Sequence, residues 1–236
     1  AGDTNGIPDL FLRDLVNGTT KWVTAGATGA NSVVSSPLIT PDGRYLAFFS
    51  TAKRLATGVP VTTRGEIYLY DAVLNQMTWV STNASVTTSN ILRLNSPPSY
   101  HPALSDDGRF VAFKCGWTNG TAAPPSPGKA AALVFLFDAF NQSATVLTTN
   151  AQAAWPFNDD VYGPEITPDG RFVAYVEREA IGTATPCGVR LWDQQTGTNV
   201  LVSADLGGLL PTNSVSHTPT VSADGRYVIF LSDATN

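Results

Sequence analysis

Lysine and glutamate are scarce in this chain, four of each in 236 residues, and methionine occurs once. With so few of the residues that favour exposed helical faces, a helical architecture is excluded. The two cysteines, Cys115 and Cys187, do not make a disulfide-rich scaffold, and no CxxC or CxxCH spacing exists. No run approaches the roughly 20 apolar residues that a membrane helix needs. A basic-then-apolar start of the signal-peptide kind is also missing. Basic side chains are outnumbered, 14 Lys and Arg against 19 Asp and Glu, for a formal charge of −5 and a pI near 4.9. That balance argues against nucleic acid or an anionic membrane surface as the main partner. Only two histidines occur, without HxH or HExxH spacing, and there is no G-x-S-x-G nucleophile elbow.

What is present points to strands. Thr, Ser and Asn together number 59, hydrophobic residues make up 43%, and Gly 20 and Pro 16 supply frequent turns. The apolar runs are short and rich in Val, Phe, Tyr and Leu, which is an all-β composition. The length suits one large domain or two small ones. Low lysine with high Thr and Asn fits an exported bacterial protein, periplasmic or extracellular. Because the first residue is Ala1 and not Met, the expectation is a matured protein or a piece of a longer one.

Internal repetition organises the chain. Four segments align without gaps: SPLITPDGRYLAFFS (36–50), HPALSDDGRFVAFKC (101–115), GPEITPDGRFVAYVE (163–177) and TPTVSADGRYVIFLS (218–232). Each has a Pro (Pro37, Pro102, Pro164, Pro219), an Asp-Gly-Arg five residues later, then an aromatic and an apolar run. A second element alternates with the first. DLFLRD (9–14), EIYLYD (66–71), VFLFD (134–138) and VRLWD (189–193) each end in Asp, and nine residues on comes a short strand centred on Val23, Val80, Leu147 or Val202. The unit is therefore four strands, A to D, with Asp-Gly at the A–B hairpin and Asn17-Gly18 or Thr196-Gly197 at a C–D turn. Strand B is an unbroken apolar run, so both faces are covered, as in a propeller blade.

These motifs resemble the PD40 family, the WD40-like β-propeller repeat seen in TolB and in many exported bacterial proteins. The pattern is P-x-[IVL]-[ST]-x-DGR-[YF]-x-A-[FY], with Ile229 in place of the Ala and Leu-Ser-Asp at 104–106. The resemblance covers essentially the whole chain and implies an all-β propeller of four-stranded antiparallel blades, in which function lives in the loops and not in the fold. The expected single domain, 1–236, holds blades at about 36–82, 101–149 and 163–204, plus a composite of 218–236 with 1–24. In that composite, the C-terminal A and B strands pair with the N-terminal C and D strands, residues 227–231 beside 9–14. The alternatives are two chains sharing one larger ring and a piece of a longer array.

Loop lengths place function. The A–B and C–D turns are tight, whereas the B–C and D–A connections on the opposite face are long, and long loops on a rigid scaffold carry recognition. The candidate binding residues are Tyr100, His101, Trp117, Trp155, Phe157, Tyr162 and His217. Exposed rings among them would stack on sugars or anchor a protein; the alternative is that they pack between blades. His101 and His217 occupy nearly equivalent places and suggest two rings facing a common axis. Asp-Gly-Arg recurs in every unit, which a turn requires and a catalytic site does not: Gly supplies positive φ, Asp caps, and Arg pairs across.

Two further expectations concern metal and redox chemistry. Asp3, Asn5 and Asp9, with the Ile7 carbonyl, offer alternating oxygen ligands for calcium, though a bidentate distal Glu is missing and an Asn-Gly turn explains the same residues. No other cofactor is expected. Cys115 and Cys187 are placed to bridge adjacent blades, the alternative being two buried thiols. The leading functional reading is a noncatalytic binding propeller that engages a protein or glycan through its long-loop face, alone or as a homodimer or part of a larger assembly. The runners-up are a polysaccharide lyase or hydrolase with a channel-mouth site near His101 and His217, and a structural repeat within a larger surface protein.

Overall fold

The computed structural model describes residues 6–29, 32–60, 64–92, 94–117, 131–148, 163–178, 186–212 and 214–235, with the backbone alone at 117, 131 and 178. Three four-stranded antiparallel sheets follow one another along the chain. The first holds β3 (Val34–Ile39), β4 (Tyr45–Ser50), β5 (Glu66–Asp71) and β6 (Gln76–Trp79). The second holds β7 (Ser99–Leu104), β8 (Phe110–Trp117), β9 (Ala131–Asp138) and β10 (Ser143–Val146), and the third β11 (Glu165–Ile166), β12 (Phe172–Arg178), β13 (Cys187–Asp193) and β14 (Thr198–Leu201). Before them lies a two-stranded sheet, β1 (Phe11–Asp14) with β2 (Thr19–Trp22), and after them another, β15 (Ser216–Val221) with β16 (Val228–Ser232). The A strands β3, β7, β11 and β15 are the edges at which successive sheets approach.

The Asp-Gly-Arg turn builds every A–B hairpin in the same way. Gly43, Gly108, Gly170 and Gly225 sit at φ +70 to +74°, a region that costs an L side chain about 1 kcal/mol or more. The Asp carboxylate accepts the Arg backbone N–H at 2.9–3.1 Å and the hydroxyl of Thr40, Ser105, Thr167 or Ser222 at 2.5–2.6 Å. The arginine does not pair across the turn. It reaches strand C instead: Arg44, Arg109 and Arg171 each hold the terminal Asp of their own sheet, Asp71, Asp138 and Asp193, at 2.8 Å. Both conserved-looking marks of the repeat, the Arg and the distant Asp, are thus one ion pair.

Strand A carries a bulge that its proline explains. Pro has no N–H to give the ladder, and the register slips at Ser35/Leu38, Tyr100/Ala103 and His217/Thr220. The residue before each proline, Ser36, His101 or Thr218, adopts φ of 51–53°. At the far end of each unit a hydroxyl after strand D caps an amide that opens strand C: Thr24 takes Leu10 N–H, Ser81 takes Ile67, Thr148 takes Val134 and Ser203 takes Val189, at 3.0–3.4 Å.

Apolar clusters sit between successive sheets. Ala47, Ile67 and Leu69 of the first meet Val111, Phe113 and Phe135 of the second; Ala112, Val134 and Leu136 of the second meet Val173 and Tyr175 of the third. Outside these, Leu10 and Leu12 pack on Phe48 and Tyr68, and Val228 and Phe230 pack on Val176 and Val189. Each sheet is therefore buried on both faces, which is why strand B is apolar throughout.

Two expectations need correction. The composite fourth blade is not formed: β1 is hydrogen-bonded to β2, β16 to β15, and neither to the other. The all-β reading holds, with one short helix beside the strands, α1 (Ala84–Leu92), where Ala84 and Thr88, one turn apart, bury against the first-to-second seam. The cysteine bridge is also absent: Cys115 and Cys187 are buried free thiols. Cys115 belongs to the cluster between the first and second sheets and Cys187 to that between the third and the C-terminal pair, so whole blades separate them.

Candidate functional site

The repeat makes a ruler: whatever recurs in every blade serves the fold, and what departs from it in one place needs another reason. Strand B position 114 is Lys, where the other units have Phe49, Val176 and Leu231. Position 177 is Glu, where they have Ser50, Cys115 and Ser232. Position 190 on strand C is Arg, where the others have the aromatics Phe11, Tyr68 and Phe135. All three substitutions face one seam. Lys114 alternates with Ala112 on the face turned to the third blade, while Glu177 and Arg190 share the face of Tyr175, turned to the second.

These charges are deeply set. Lys114 is 2% exposed and Glu177 3%. Arg190 Nε pairs with the Glu177 carboxylate, and Tyr175 beside it donates its hydroxyl to the Leu147 carbonyl at 2.8 Å while accepting Asn199 Nδ2–H at 2.7 Å. Burial pushes the Tyr175 hydroxyl far up, so it stays protonated and donating. Buried charge is unfavourable compared with the uncharged residues that fill these positions in sister blades. The gathering of Lys114, Glu177 and Arg190, none of them matched in the sister blades, marks that seam as specialised.

His101 stands at the same seam. Its ring makes an edge contact with Tyr100, centroids 5.1 Å apart at 82°, and a methyl group on Gly163 would stand 3.2 Å from the His101 Cβ. Tyr100 is in turn the cross-strand partner of Lys114. So Tyr100, His101 and Lys114 from the second blade and Gly163, Glu177 and Arg190 from the third line the two sides of one seam, His101 and Gly163 in close approach, at the end where β8 and β12 run into the long connections.

Of the residues singled out from sequence, the structure brings Tyr100 and His101 together and leaves His217 elsewhere. His217 lies on β15, with β11 between it and β7, in the place that Tyr100 takes in the second blade, and its Nδ1 is 2.8 Å from the Thr218 hydroxyl. Trp155, Phe157 and Tyr162 lie outside the described residues, as does the side chain of Trp117. Asp3 and Asn5 lie outside them too. Asp9 accepts the Thr24 hydroxyl, as Glu66 accepts that of Ser81, so it finishes a strand-C cap. Lys114, Glu177 and Arg190 were missed, although subtracting the repeat from itself exposes them.

At the hairpin end, a cleft of about 290 Å³ opens between the first and second blades, lined by Tyr45, Asp71, Gln76, Asp107, Arg109 and Phe140. Most of its lining belongs to the repeated turn and ion pair, and Asp71 and Arg109 are already engaged within their own blades. It is a seam between repeats.

Three solved structures are similar to this chain to different degrees. The chain matches a prolyl endopeptidase with a TM-score of 0.51 at 12% identity, over 95% of this chain and 29% of that one. This is a β-propeller. The propeller also matches a puromycin-hydrolyzing peptidase of Mycobacterium tuberculosis (TM-score 0.45, 15% identity, 87% and 27% covered). A third match is the β-propeller domain of the Trilobed protease from Pyrococcus furiosus (TM-score 0.39, 12% identity, 84% and 53% covered). The propeller spans less than a third of the length of the prolyl endopeptidase. No family model and no curated protein matches it.

Proposed function

We propose that this is a noncatalytic binding propeller of the PD40 kind, exported by a bacterium, which engages a protein or glycan at the long-loop end of the seam between its second and third blades. The observation that carries the reading is the blade-specific set Lys114, Glu177 and Arg190 beside His101, set into a seam whose sister positions are apolar, Ser or Cys. Charged groups held in a low-dielectric seam give directional recognition, which the fold itself has no use for. The separation of His101 from His217 on different inner strands gives a two-histidine catalytic site no support.

The test restores the repeat at the seam. A triple variant with Lys114→Val, Glu177→Ser and Arg190→Phe carries the residue types that the sister blades use. Removing the whole buried charged set avoids leaving one partner alone, so the variant should melt no lower than wild type. Glycan and peptide arrays with the wild-type propeller would supply a binder, whose affinity should fall at least tenfold in the triple variant and stay unchanged in Gln76→Ala at the hairpin end. Undiminished binding by a folded triple variant would defeat the proposal.

A further inference from the structure

The two half-blades display complementary vacancies. In each whole blade the hairpin Arg holds the strand-C Asp, but no ion pair joins Arg226 or Asp14 to anything among the described residues. Arg226 stacks on Tyr227 at 5.0 Å, and Asp14 accepts hydrogen bonds from Val16 and Asn17 within its own turn. They occupy the places of Arg44 and Asp71.

A second complementarity is steric. A methyl group on Gly108 would stand 2.1 Å from the Tyr45 ring, one on Gly170 2.3 Å from Phe110, and one on Gly225 2.1 Å from Phe172. Each hairpin glycine thus seats the aromatic that follows Asp-Gly-Arg in the preceding blade. The series leaves one glycine and one ring over. Nothing lies within 4 Å of Gly43, and Tyr227 is 59% exposed. The faces agree: Ile229 and Leu231 alternate with Tyr227 at 69% and 61% exposure, and Phe11 on β1 is 49% exposed. Their sister residues Ala47, Ala112, Ala174 and Tyr68 are fully buried.

We infer that a second copy of this chain completes both half-blades: β16 of each copy pairs with β1 of the other, in the B–C register of the whole blades. Tyr45 faces Asp71, Phe110 faces Asp138 and Phe172 faces Asp193 across that ladder, so Tyr227 faces Asp14 of the second copy. Arg226 then holds that Asp14, and Tyr227 settles on its Gly43. Within one copy the two edges stand unpaired, and exposed apolar edge strands are template surfaces that a soluble protein closes. The reciprocal exchange is self-complementary and two-fold, the commonest form of closed assembly. It gives a ring without a free edge, eight sheets from two chains. The seam proposed for ligand binding is internal to each chain, so this inference stands independently of it.

The experiment uses the whole 236-residue chain. Light scattering should give about 50 kDa, twice the 24.9 kDa of one copy. Arg226→Asp should weaken the dimer on the order of tenfold or more, since the symmetric ring contains the pair twice. The swap of Arg226→Asp with Asp14→Arg should restore it. Leu12→Cys with Ile229→Cys, opposed in the inferred register, should oxidise to a covalent dimer, the native thiols being buried. A bridged species of monomer mass would mean that the chain closes on itself, and an unbridged monomer at every concentration would mean that the edges do not pair. Either result overturns the inference.

Discussion

Arg171 reaches 22 residues along the chain to Asp193 and makes two parallel hydrogen bonds, 3.1 Å to Oδ1 and 2.8 Å to Oδ2. That contact holds the Asp193 carboxyl at about 2, and Arg109 likewise holds Asp138 below its ordinary value of 3.8. A depressed carboxylate stabilises the fold fully above its unfolded pKa and stops doing so as pH falls through the folded one. The expected outcome is a loss of stability between about pH 4 and pH 2, read as a falling urea midpoint. Asp193→Asn should flatten that dependence and cost about 1 kcal/mol near neutrality, small because the arginine is 41% exposed. The thiols respond at the other end of the scale. Burial pushes Cys115 up to about 12, so neither it nor the buried Cys187 should react with a thiol reagent at pH 8 in the folded protein. Both should titrate once the chain is unfolded without reductant, and any smaller number would reveal a bridge.

At the scale of the element, the hairpin glycine has two duties that a sequence shows as one. Positive φ is a property of the turn itself, and Asp-Gly predicts it. Close approach to a ring of the preceding blade is a property of the seam, and the turn does not announce it. Gly170→Ala and Gly108→Ala should each cost roughly 3 kcal/mol in chemical unfolding, about 1 from strain and the rest from overpacking against Phe110 or Tyr45. Gly43→Ala, measured in monomer, should cost only the strain, because nothing stands within 4 Å. Equal losses at all three positions would show that the rings yield freely. Helix α1 teaches a similar point: ASVTTSNIL has weak helix propensity, and the seam that receives Ala84 and Thr88 decides its conformation.

On the scale of the whole molecule, a repeat protein separates its fold from its function unusually well. Four strands, tight Asp-Gly turns, the apolar B strand and the order of blades were legible in the chain, because each depends on residues close in sequence or on recurrence, and recurrence averages away accidents. The pairing of Arg44 with Asp71, the isolation of Cys115 from Cys187 and the gathering of Lys114, Glu177 and Arg190 were not legible in the same way. All three depend on which strand faces lie across a seam, and strand order sets that only once sheets are stacked. His101 and His217 show the limit most plainly. They look equivalent along the chain, yet a one-residue offset and an intervening strand give them different neighbours. The sequence by itself determined what a blade is. The tertiary structure alone decided which blades meet, which seam gathers Lys114, Glu177 and Arg190, and that β1 and β16 end the stack as open edges, because faces and edges acquire partners only when sheets pack.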